Sequence, residues 1–198
     1  MPKAIETPIY PDSMKIEDAL QLYFTKYHFA DGGYQDKYFK IKIGFLLLPI
    51  PNTKSRIVAV KFHDIHHILT EYTALWRGEV EIGAWEIASG CGKHFIAWFL
   101  NFGSFTIGLF LYPKALMEAF MKGRNVKTNL YKNYLYDSHL LNRTVGELRN
   151  ELELRRNKKN NLLDYANFLL WISFVMMMLF SIVVFIDEVF ACFKSWIY

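Results

Sequence analysis

The sequence predicts an all-α fold, a single helical domain followed by a C-terminal helix of transmembrane type. Three observations carry this. Helix starts and stops recur along residues 1–156, no stretch alternates convincingly as a strand, and one run near the C-terminus is apolar on every side. The resulting boundaries are a helical domain over 1–156, a basic linker over 157–161, and a membrane-anchor helix with a short tail over 162–198.

Asp12 and Ser13 are good N-cap types and predict a helix through about His28, stopped by Asp31-Gly32-Gly33. Residues 34–43 mix lysine with aromatics at no clear period, and 44–50 are apolar; neither stretch is assigned to an element. Pro49-Ile50-Pro51-Asn52 reads as a turn into residues 53–60 and a helix over 61–72. Gly78 opens the next helix, 79–89, which Gly90-Cys91-Gly92 ends. Helical stretches follow over 93–112 and 113–121. Pro113 suits a first turn, where its missing N–H loses no bond, and Gly123 closes that helix. Thr144 and Glu147 have the spacing of a capping box and start a charged helix to about Arg156.

Residues 168–186 are nineteen residues with no charge, and Ser173 and Ser181 are their only polar members. That is close to the length a helix needs to cross the ~30 Å hydrocarbon core of a bilayer. Serine hydroxyls bond back to helix carbonyls, so they cost little there. Arg155, Arg156, Lys158 and Lys159 precede the run, and Asp187 and Glu188 follow it. The positive-inside rule then puts the main domain on the cytoplasmic side, or the matrix side in a mitochondrion. The alternative is a buried core helix, but a helix this apolar all round is unusual in a soluble domain. Residues 95–112 are a second apolar stretch, diluted by Asn101, Gly103, Ser104, Thr106 and Gly108, and read as a core wall or the lining of a lipid tunnel, with a second membrane span as the alternative.

Composition narrows the function. Aromatic residues make up 17% of the chain, which suits contact with lipid or a large apolar ligand. A net charge of +4 without a concentrated basic face argues against nucleic acid. Cys91 and Cys192 are far apart and in no CxxC pattern, so no disulfide framework or zinc–thiolate site is expected, and a reducing compartment is. Residues 1–13 have neither a basic start with an apolar run nor an arginine-rich amphipathic pattern, so no signal or transit peptide is expected.

The chemistry concentrates in His63-Asp64-Ile65-His66-His67, followed by eleven residues and Glu79. Neutral imidazole and carboxylate are the ligands zinc or non-haem iron takes from a protein. On a helix, His63 and His67 at i, i+4 point the same way, and Asp64 flanks that face. Glu79 starts the next helix and reaches back. The alternative is a polar structural cluster, although desolvating these groups unpaired costs several kcal/mol.

The string from His63 to Thr70, then Tyr72, and Gly78-Glu79 after the gap, resembles the coenzyme Q biosynthesis protein 4 family. That family's signature is HDxxH, eleven residues, then E. Leu48-Pro49 and Arg56 suit its approach more weakly, and the likeness is concentrated over residues 49–88. The resemblance implies a helical fold, a bound divalent metal (zinc by family, with iron open from the ligand types), and membrane association. Position by position it implies His63, Asp64, His67 and Glu79 as metal ligands. It also implies a role in ubiquinone biosynthesis, in removing the ring carboxylate from the prenylated head-group precursor and oxidising the same carbon, among other quinone-biosynthesis proteins. The expected partner is that precursor or another isoprenoid lipid, its tail along residues 95–110 with Trp98 and Phe102 as contacts. Two departures stand out. Glu71 occupies the family's usual Gly position, and if the helix continued it would be i+4 from His67 as a base, a fifth ligand or a partner of a ligand. The C-terminal anchor is also atypical.

Three rivals are weaker or different in kind. His63-x-x-His66-His67 matches one box of membrane di-iron desaturases, but that class needs about eight histidines in three boxes, and this chain has six, three of them isolated. An HD-type phosphohydrolase would have to enlist His28 and Asp137 without supporting spacing. The non-enzyme alternative is a prenyl-lipid-binding scaffold with a structural metal.

Overall fold

The computed structural model describes residues 10–30, 32–43, 46–156 and 158–197. Among them the elements run α1 (Ile16–Tyr27), β1 (Tyr38–Ile43), β2 (Leu46–Pro51), α2 (Lys54–Thr70), α3 (Trp76–Ser89), α4 (Phe95–Leu111), α5 (Pro113–Asn125), α6 (Leu130–Asn133), α7 (Ser138–Leu141), α8 (Val145–Glu151) and α9 (Leu162–Ile197). The helical class is as expected, with one addition. The stretch left unassigned in the sequence is an antiparallel hairpin, Tyr38 opposite Pro51 and Ile43 opposite Leu46. A two-stranded ribbon consists of edges alone, so the prolines of β2 need not break a ladder.

The chain divides into two compact units, Met1–Lys159 and Asn160–Tyr198. In the first, α2 is the central element. Thr53 caps it, its side chain accepting from the Arg56 N–H at 3.2 Å. One face sends Ala59, Phe62, Ile65 and Leu69 into a core shared with Ile16, Tyr23 and Phe24 of α1 and Leu130, Leu140 and Leu148 of the later short helices. The helix ends at Thr70 because Glu71 turns left-handed, with φ 63°.

Several boundaries differ from the sequence reading for identifiable reasons. Helix α1 starts at Ile16, not after Asp12, because the Asp12 carboxylate is drawn into ion pairs with Arg149 (2.9 Å) and Arg155 (2.7 Å). Helix α3 starts two residues before Gly78, and a Cβ at Gly78 would stand 1.8 Å from the Thr73 carbonyl oxygen. Gly123 does not end α5, which runs on to Asn125; a Cβ there would lie 2.4 Å from the Trp85 carbonyl oxygen of α3. Glycine at 123 therefore serves close helix packing. Helix α8 has the expected Thr144/Glu147 capping box but stops at Glu151.

Arg149 of α8 closes the C-terminal end of α2. Its guanidinium donates to the carbonyls of Ile68 (3.2 Å), Leu69 (3.0 Å) and Tyr10 (3.0 Å) and to the carboxylates of Asp12 and Glu71. Orphan carbonyls at a helix end attract a cation, and here one buried cation holds three chain segments together.

In the second unit, Asn161 and Asp164 cap α9 reciprocally, each side-chain oxygen accepting the other's N–H at 3.0 Å. The 36 residues of α9 span about 54 Å at 1.5 Å per residue, longer than the ~30 Å bilayer core. By length and composition α9 can cross a membrane. Large apolar side chains such as Leu170, Phe180, Val183 and Phe185 are exposed along it.

Gly123→Ala tests the α3–α5 approach. Overpacking against a backbone carbonyl should cost about 1–3 kcal/mol, read as a lower thermal midpoint of the detergent-solubilised protein by circular dichroism. An unchanged midpoint would mean the helices can separate freely.

Candidate metal centre

Helices α2 and α3 are joined by five residues, 71–75, and the site is formed by side chains of both. His63 and His67, four residues apart, share one face of α2, and Glu79 comes from the first turn of α3, where the helix dipole favours a carboxylate. Each of the three brings one ligand atom within 4.8 Å of the other two. The Nε2 atoms of His63 and His67 are 3.1 Å apart. The Glu79 carboxylate lies across both, 3.4 Å from each Nε2.

The hydrogen bonds on the far side of each ring fix the tautomers. His67 Nδ1 faces the Tyr72 carbonyl at 3.0 Å, so it must carry the proton and donate. His63 Nδ1 faces a Glu86 oxygen at 3.1 Å and donates to it. With both Nδ1 positions protonated, two Nε2 lone pairs point at one another and at a carboxylate. That arrangement repels itself unless a cation, a proton or a metal ion, sits among them. It is also how metal-binding histidines are oriented in general, with the second ring nitrogen held by a carboxylate or carbonyl. The residues present thus fit a divalent ion. Tyr23 stacks on the His67 ring, centroids 5.7 Å apart, and restrains it further.

Glu86, two turns along the same face of α3 from Glu79, is completely buried, and no motif in the sequence marks it. Its Oε1 accepts from His63 and from His66 Nδ1 (2.7 Å), and its Oε2 from Asn101 and the Tyr131 hydroxyl (3.0 Å). His66 Nε2 accepts the Leu130 N–H at 3.0 Å, so His66 is a neutral, fully bonded core histidine. The detectable signal was a lone carboxylate in the apolar run Ile82–Ala88, seven residues from Glu79 and so on its face.

Electrostatics agree with a cation-seeking site. Burial works against charge on His63, but the Glu86 and Glu79 carboxylates outweigh it and hold its pKa well above the ordinary value. Burial likewise opposes ionisation of Glu79 and Glu86, and the neighbouring histidines override it, holding both carboxyls well below the usual range. Burial lowers the pKa of His66.

The other expected site residues lie as follows. Asp64 is buried beside the cluster, its Oδ2 accepting from the Tyr34 hydroxyl at 2.5 Å, and burial pushes its pKa up to about 6. The convergent set is thus two histidines and one carboxylate, with Asp64 directed to Tyr34. Glu71 is not one turn beyond His67 on a continuing helix: α2 has ended, and its carboxylate pairs with Arg149 at 2.8 Å. The left-handed turn at 71 instead brings the Tyr72 carbonyl to His67. Trp98 and Phe102 are half-buried on α4, where the Trp98 indole N–H donates to the Gly92 carbonyl at 3.1 Å. Phe95, Phe99 and Phe110 of the same helix are exposed.

No family model, no curated protein and no solved structure matches this chain.

The raised pKa of His63 has a sign that can be tested. A histidine whose folded pKa exceeds its unfolded value, about 6.5, adds stability that is full below that value and lost as pH rises through the folded pKa. Metal-free protein in chelator should therefore melt at progressively lower temperature as pH is raised above neutrality. A decline of the same size in His63→Gln would assign the effect to another group.

Proposed function

We propose that this protein is a metal-dependent, membrane-associated protein of prenylated-quinone biosynthesis, acting in decarboxylation and oxidation of the prenylated head-group precursor. The observation that carries the metal is the pair of facing Nε2 lone pairs with Glu79 across them. His63 and Glu79 are 21% and 38% exposed at their side chains, so the cluster is partly open to solvent, as binding of a head group there requires. The spacing of His63, Asp64, His67 and Glu79 and its resemblance to the coenzyme Q biosynthesis protein 4 family supply the reaction. The apolar α9 and the phenylalanine-rich α4 suit an isoprenoid substrate delivered from a bilayer, with the main domain on the cytoplasmic or matrix side.

His63, His67 and Glu79 would hold a divalent ion, which when bound would supply Lewis-acid polarisation of a carboxylate or phenolate and, if it were iron and not zinc, activation of oxygen. The chain's own part is to hold and aim those ligands. His63 and His67 present Nε2 because Glu86 and the Tyr72 carbonyl hold their Nδ1 protons. Glu79 supplies negative charge, and the facing His67 and His63 rings keep it ionised against burial. Asp64 and Tyr34 form a hydrogen-bonded acid beside the ligands. When the ring carboxylate leaves as carbon dioxide, its bonding pair stays on the ring carbon, which takes up a proton or, in the oxidative case, bonds one oxygen of dioxygen, with two electrons from an external reductant and two protons carrying the other oxygen to water.

Elemental mass spectrometry of the detergent-purified protein should find close to one divalent metal per chain, lost in His67→Ala and in Glu79→Ala. Iron supports the oxidative reaction, zinc a reaction without electron transfer by the metal. A folded wild type that takes up no metal even on reconstitution would sink the proposal. Phe102→Asp should release co-purified isoprenoid lipid, measured by mass spectrometry of extracts, with metal content retained; undiminished lipid would remove α4 from the tail path.

A further inference from the structure

We infer that Glu86 is the positioning residue of the metal centre: it sets the His63 tautomer and supplies the second negative charge that balances a divalent ion. This rests on the metal-binding reading of His63, His67 and Glu79. Glu86 has no exposure, and an ionised carboxylate in such a place costs several kcal/mol unless it is bonded and its charge is answered. The bonding is complete. Four donors, from His63, His66, Asn101 and Tyr131, fill its two oxygens.

Most of these donors cannot answer the charge. Asn101 and Tyr131 are neutral donors. His66 cannot become an imidazolium without losing its bond from the Leu130 N–H, because its Nε2 lone pair is already used there. His63 is the member whose outer nitrogen faces the metal cluster, so a positive charge arriving at its Nε2 reaches Glu86 through one ring. Glu79 at the front and Glu86 behind then carry two negative charges against the two positive charges of a divalent ion. Without metal, a proton on His63 Nε2 answers the same charge; a divalent ion bound there would take that proton's place. The same carboxylate joins four elements: α2 through His63 and His66, α3 by its own backbone, α4 through Asn101, and α6 through Tyr131. His63 is therefore aimed by a frame and not by a flexible side chain.

The test uses the full chain in detergent, with Co2+ as the probe ion. Its affinity is measured by competition with a chromophoric chelator, and its geometry by visible absorption. Glu86→Gln keeps the volume and, with its oxygen toward His63 and His66, their acceptor, but removes the charge; the expected result is a 10–100-fold weaker Kd for Co2+ in protein that circular dichroism shows to be folded. Glu86→Ala, which removes the acceptor as well, should also change the cobalt spectrum as the His63 ring reorients. In zinc-loaded wild type, 15N NMR of labelled histidine should show His63 ligated through Nε2 and protonated at Nδ1. This reading needs no variant and stands even if both substitutions fail to fold. A folded Glu86→Gln with wild-type Co2+ affinity and spectrum overturns the inference, as does ligation of His63 through Nδ1. Wild type that binds no ion overturns the underlying metal reading instead, and the positioning role with it.

Discussion

The burial of negative charge between α2 and α3 is the constraint on which this structure turns. Glu86 is sealed in the interior, and the groups that satisfy it come from α2, α4 and α6. Removing any donor would strand part of a charge in low dielectric, so the four elements hold one relative arrangement. The same arrangement leaves the outer nitrogens of His63 and His67 facing each other, a geometry that favours a cation. Stability and site are thus one network, in which groups that bond the carboxylate on one side present ligands on the other.

A second buried charge of opposite sign fixes the far end of α2. Arg149 gathers the last carbonyls of the helix, the Tyr10 carbonyl, and the carboxylates of Asp12 and Glu71. It holds the left-handed turn at Glu71, and that turn delivers the Tyr72 carbonyl to His67. Glycine adopts that backbone without strain, whereas a non-glycine residue there costs on the order of 1 kcal/mol. The Arg149 ion pair offsets that cost. Glu71 therefore reads as a residue of the turn, one that orients His67 through the main chain, with its carboxylate on Arg149 and outside the His63/His67/Glu79 cluster.

The helical class, the apolar C-terminal helix and the His63/His67/Glu79 set were legible because each is written in local spacing. Four residues between histidines is one helical turn wherever the helix sits, and nineteen uncharged residues are apolar in any context. The boundaries were less legible where a distant partner decides them. Asp12 has the chemistry of an N-cap, but two arginines more than 130 residues away claim it. Gly123 has the look of a stop, but its missing Cβ makes room for the Trp85 carbonyl. The hairpin was unreadable because a two-stranded ribbon is defined by its partner strand and not by a strong pattern of its own.

The sequence by itself determined which residues can act as ligands, that the two histidines fall on one helical face with Glu79 at the start of the next helix, and that one segment is long and apolar enough to enter a bilayer. Only the tertiary structure decided which of the candidates converge. It drew Asp64 to Tyr34 and Glu71 to Arg149, and it brought in Glu86, which no motif announced. The physical reason is that spacing fixes direction within one helix, whereas hydrogen-bond partners and burial, which set tautomer and charge, come from segments far apart in the chain.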